Sequence, residues 1–163
     1  MARREVSREE VADRISAYVY GNILTMAALV VLHHDEIESG AGLAIVVGTA
    51  VSTFVAHAYA ESLGGIARGA EDPSLRVVLR DSMPIISAAA VPVLLMAVGA
   101  LEWIDPVVCL RIAEAWVVVR LALTGFIVGR LRGIPVTLHT WIASIGLAAV
   151  ALVIVAIKVV LTH

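Results

Sequence analysis

Five stretches of this chain are apolar for longer than a strand, each about the length of the roughly 20-residue helix that crosses a bilayer. They run over 15–32, 41–63, 83–103, 106–130 and 135–161, and several of the connections between them are only a few residues long. A backbone inside hydrocarbon must satisfy its own hydrogen bonds, and runs of this length do so as helices. The expected fold is an all-α integral membrane protein, a bundle of about five transmembrane helices forming a single membrane domain over 1–163. Composition points the same way. The chain is 60% apolar and 16% charged, against roughly 45–50% and ~25% in soluble domains. A soluble enzyme and a disordered segment are both excluded. A net charge of -2 offers no basic surface for phosphate, so no nucleic-acid partner is expected.

Basic residues orient such a bundle because Lys and Arg are retained on the cytoplasmic side. Arg3, Arg4, Arg8 and Arg14 precede the first span, Arg68, Arg76 and Arg80 lie between the second and third, and Arg130 and Arg132 between the fourth and fifth. These are nine of the twelve basic residues, and the intervening segments 33–40 and 102–105 hold none. The N-terminus is expected inside and the C-terminus outside, in a multi-pass protein of the plasma membrane. Residues 1–14, where arginines alternate with acids and Ser7 and Glu10 stand at capping-box spacing, read as a cytoplasmic lead-in helix and not as a cleaved signal. Residues 64–82 read as a solvated cytoplasmic loop, with a short amphipathic turn from Ser74 to Asp81; a lipid-headgroup or partner site is the alternative. Pro84 and Pro92 mark the third span as the weakest, and Pro92 frees a carbonyl within it.

An ionisable side chain in a span costs about 2.5–3.5 kcal/mol at the bilayer centre, so each needs a partner, water or a route to the surface. His57 and Glu61 are four residues apart on one face of the second span, with Thr53 on the same stripe. Imidazole and carboxylate stacked this way suit proton or cation handling, a helix-holding pair, or, with ligands from elsewhere such as His139, a metal. Arg120 lies too deep in the fourth span to reach either headgroup layer, so it should face protein or a wet cavity. Either it is tied to Glu61 or to carbonyls freed by Pro92, or it is a fixed charge that sets selectivity. Arg111 and Glu114 form an i, i+3 pair in the outer half of the same span. Arg14, Tyr18, Asn22 and Thr25 form one stripe of the first span, and Thr137, His139, Thr140 and Ser144 line the start of the fifth. By depth, Tyr18, Asn22, Thr53, His57, Glu61, Arg120, Thr137 and His139 gather into an inner-half polar cluster.

Outside that cluster, His33, His34, Asp35, Glu36 and Glu38 crowd the first outer loop, a weak metal candidate, since a charge-rich exposed turn needs no such explanation. The lone Cys109 has no intrachain partner and reads as a small buried side chain. Gly48, Ser52 and Ala56 form a small-residue ridge on the second span, on a different face from His57, suited to close helix packing or self-association.

YGNILTMAALV at 20–30 together with TFVAHAYAES at 53–62 resembles a group of small actinobacterial multi-span membrane proteins of unestablished activity. The first two spans also show a fainter similarity to the potassium channels marked by an R-x-x-x-F-S-D signature and an aromatic-x-x-H pattern. Arg14 and Tyr18 occupy the Arg and Phe positions, and Phe54 and His57 match the second pattern. Val19 and Tyr20 stand where that signature has Ser and Asp, and the family's repeat has six helices, so no filter residues carry over.

The expected function is a small channel or transporter subunit for protons or small cations, a homo-oligomer without a cofactor. In it His57 and Glu61 would titrate, Arg120 would gate, and Tyr18 and Asn22 would line the path. The alternative is a non-transporting scaffold or accessory subunit with a protein partner. A membrane enzyme acting on lipid through His57, Glu61 and His139 ranks last, because no nucleophile and base can be paired from sequence.

Overall fold

A computed structural model describes residues 8–67 and 74–131, together with positions 142, 146, 149 and 153. Every element among the described residues is helical: α1 (Arg8–Val30), α2 (His34–Glu38), α3 (Ala41–Ala67), α4 (Leu75–Ala100) and α5 (Pro106–Leu131). Ile142, Gly146, Ala149 and Val153 are helical and exposed; the rest of the expected span 135–161, His139 included, lies outside the described residues. At 1.5 Å per residue, α3 and α4 are each about 40 Å long, more than the ~30 Å of a bilayer's hydrocarbon. Both are long and apolar enough to cross a membrane, yet only 28% and 33% of their most apolar windows are buried. The core helix of a soluble protein would hide most of that surface. Here Val51, Val55, Leu63 and Leu94 point outward, so lipid is the solvent that suits them.

α4 is the centre of the bundle. It packs against α1, α3 and α5, and its buried stripe runs Val78, Asp81, Ser82, Ile85, Ala88, Ala89, Pro92, Met96 and Gly99, at helical spacing. The helix starts at Leu75, so the turn expected from Ser74 to Asp81 within a loop is its first two turns. Pro84 and Pro92 lie inside it without ending it. The third span, expected to be the weakest, is the element that all the others share. Likewise α1 starts at Arg8, so the expected lead-in helix and first span are continuous from there.

Small residues set the approach of the helices. A Cβ at Gly21 would lie 2.8 Å from the Ile85 Cα, so α1 meets the α4 backbone directly. With Arg14 beside Asp81, about two turns before Gly21 on α1 and about one turn before Ile85 on α4, the two helices run parallel. α5 runs antiparallel to α4, with Cys109 near Gly99 and Arg120 near Ser87. The turn between them is capped by Asp105, whose Oδ1 accepts from the Val107 and Val108 amides at 2.9 and 3.1 Å, with Pro106 at the first helical position. At the same end, α2 drives Ile37 fully inside, against Gly42 and Gly99. The loop expected over 33–40 is thus a short helix that plugs the bundle.

Gly21→Val should force α1 and α4 apart, because the obstructing atom is backbone and cannot rotate away. A loss of about 1–3 kcal/mol is expected, read as a lower unfolding temperature in detergent. Gly48→Val, on the open face of α3, should leave that temperature unchanged.

Candidate functional site

At three levels, α4 meets polar side chains from α1, α3 and α5. At the N-terminal end of α4, Asp81 is buried while its Oδ1 receives Arg80 Nε at 3.2 Å and Arg14 Nε at 3.5 Å. The i to i+1 pair fixes the carboxylate, and α1 supplies the second guanidinium. Both arginines are partly exposed, so the pair of ion pairs fixes geometry more than it adds stability.

One residue on, Ser82 is fully buried, and its hydroxyl donates to the Val78 carbonyl at 2.9 Å. With its only proton committed, Ser82 Oγ can act only as acceptor toward His57 Nδ1, 3.2 Å away on α3. That geometry suits the Nδ1–H tautomer of the half-buried His57. The Tyr20 ring lies 6.4 Å from the imidazole, centroid to centroid. Glu61 is half-buried one turn along α3, and Thr53 is buried one turn the other way.

Higher on α4, Arg120 reaches from α5 to Ser87. Its Nη1 donates to the Ser87 carbonyl at 2.6 Å and its Nη2 to the Ser87 hydroxyl at 3.3 Å. Its Nε donates to the Tyr18 hydroxyl at 3.0 Å, and its Cζ stands 4.7 Å from the Tyr18 ring centroid. Three helices are joined through one guanidinium fork. The carbonyl it takes is Ser87's; the one that Pro92 deprives of an amide donor is Ala88's, the next along. Asn22 is fully buried one turn beyond Tyr18, and its Nδ2 donates to the Tyr18 carbonyl at 2.7 Å.

The expected inner cluster thus resolves into separate contacts. Ser82 and Ser87 are five residues apart, which is about 140° around α4 and ~7.5 Å along it. His57 and Arg120 therefore address different faces of that helix. Thr137 and His139 lie outside the described residues. Asp81, Ser82 and Ser87 were not among the expected site residues, because the first two sit in what read as a loop. The i, i+4, i+3 spacing of Val78, Ser82, Ile85 and Ala89 was the available signal that the helix begins earlier.

At the other end, Arg111 Nη1 donates to Glu114 Oε2 at 2.9 Å, with Glu114 buried. In the first loop, His33 pairs with Glu36 at 3.4 Å and His34 with Glu38 at 3.5 Å, while Asp35 is exposed. Consecutive pairs of this kind splay around a short helix, and among the described residues no three His, Cys, Asp or Glu side chains converge as a metal site. No known protein family, curated protein or solved structure matches the chain.

Tyr18→Phe removes one of the three bonds to Arg120 and should cost about 0.6–1.7 kcal/mol, the range of interhelical hydrogen bonds in membranes. Paired with Ser87→Ala in a thermal-unfolding cycle, it should be non-additive, since both side chains hold one guanidinium. Strict additivity would show that they act independently.

Proposed function

We propose that this chain is a subunit of a small proton- or cation-handling channel or transporter, and that His57 is the group that takes up and releases the proton. The observation that supports this reading is the Val78–Ser82–His57 chain of hydrogen bonds. It orients the imidazole and commits Nδ1–H, so a proton added at Nε2 breaks no existing bond. The cation formed would keep its Ser82 contact, with the Tyr20 ring 6.4 Å away, Glu61 one turn along α3 and Asp81 next to Ser82. Arg120 plays a different part from the gate expected of it. Its three directed bonds make it a tie between α1, α4 and α5, and its fixed charge disfavours cations on that face of α4. The path for protons then runs along the α3 side.

In this reading the protein has about five spans, with the N-terminus cytoplasmic and the C-terminus outside, in the plasma membrane. It assembles as a homo-oligomer, because so few helices leave no enclosed path in one copy. The similarity of 14–18 and 54–57 to the potassium-channel patterns fits a small monovalent cation or proton as cargo. The second reading, a scaffold or accessory subunit, is favoured by the ridge of Gly48, Ser52 and Ala56, which is wholly exposed, with open space where a Gly48 side chain would stand.

Vesicles holding the purified protein and a trapped pH-sensitive dye should show proton flux above empty vesicles across about pH 5 to 8. His57→Ala should reduce it to the empty-vesicle level, and Ser82→Ala should slow it while leaving the fold intact. Flux that survives His57→Ala would defeat the assignment. Absence of flux together with a stoichiometric foreign partner in native membranes would establish the scaffold instead.

A further inference from the structure

Asn22 is the only asparagine in the chain, which has no glutamine, and it is completely buried in the middle of α1. Its Nδ2 donates to the Tyr18 carbonyl at 2.7 Å, while its Oδ1 has no hydrogen-bond partner. Exchanging the two amide atoms does not help, because oxygen would then face the Tyr18 carbonyl, acceptor against acceptor. The orientation is settled, and a buried acceptor points into the bundle. Leaving such an atom without a donor costs about 1–3 kcal/mol.

We infer that Asn22 Oδ1 is the anchor of an internal water site in the α1–α4 seam. A water needs two to four polar partners and room to sit. Two further groups stand at this level. Thr25, three residues along α1 and therefore on the same face, is buried with a hydroxyl. On α4, Pro92 has no N–H, so the Ala88 carbonyl lacks its helical donor. α1 and α4 approach closely here, since a Cβ on Gly21, next to Asn22, would lie 3.3 Å from the Ala88 side-chain Cβ. One water donating to Asn22 and Ala88 and accepting from Thr25 meets all three needs. The occupant is neutral because the Arg120 guanidinium, bonded to Tyr18 one turn below, repels a cation in this low-dielectric seam. The site stands independently of proton handling at His57, which lies on another face of α4.

Asparagine labelling gives a single carboxamide signal, so the test is direct. In the full-length protein in lipid vesicles, water-to-protein magnetisation transfer should reach the Asn22 Cγ and not the Met26 methyl, one turn away and equally buried. Thr25→Val should abolish that transfer while the circular dichroism spectrum stays unchanged. Three results would overturn the site: no transfer at Asn22, equal transfer at Met26, which means a generally wet seam, or transfer undiminished in Thr25→Val. A change in the Asn22 Cγ shift on replacing potassium with lithium would identify a cation and overturn it as well.

Discussion

The stripe along α4 from Val78 to Gly99 is the constraint on which the remainder of this bundle depends. Alanine and glycine on that stripe let neighbouring backbones come close, and dispersion over many short contacts holds them there. At Gly21 and Gly99 the approach is so near that a single carbon would collide with Ile85 or Ile37. Polar groups are interleaved with the small ones at Asp81 and Ser82, while Ser87 stands exposed on another face of α4, and each of the three receives a side chain from another helix. Packing and polar satisfaction are therefore carried by the same element.

That arrangement separates two kinds of polar contact. Arg120 is spent on directed bonds to Ser87 and Tyr18, and a permanently charged group held this way locks the relative positions of α1, α4 and α5. Among the described residues, His57 is held through Nδ1, beside a serine whose hydroxyl donates to the Val78 carbonyl. The difference lies in hydrogen-bond inventory and not in depth, since both residues are half-buried.

Much of the architecture was legible in the one-dimensional pattern. The α3 start at Ala41 and the α5 start at Pro106 coincide with the expected span starts, because Gly40 and Pro106 punctuate the chain chemically: Gly40 takes a positive φ of 78°, and proline suits a first helical turn. The α4 start was not legible. Arg76, Arg80 and Asp81 read as solvated loop charges, and only the neighbouring helices reveal that Asp81 turns inward to Arg14. Similarly, 33–40 looked like a charged turn, and the one apolar residue within it, Ile37, proves to be its anchor.

Hydrophobic length and the scarcity of charge determined by themselves that the chain is helical, because hydrocarbon-length apolar runs leave the backbone no other internally bonded form. Sequence also singled out Tyr18, Asn22, His57 and Arg120, since the expense of polarity in such runs marks any exception. Tertiary structure alone decided their partners. Helical spacing states which side chains share a face of one helix, but which faces meet depends on the rotation and sliding of each helix against its neighbours. Those are set by where small residues permit contact, and so it was the Gly21–Ile85 approach and the stripe of α4 that sent His57 to Ser82 and Arg120 to Ser87 instead of to each other.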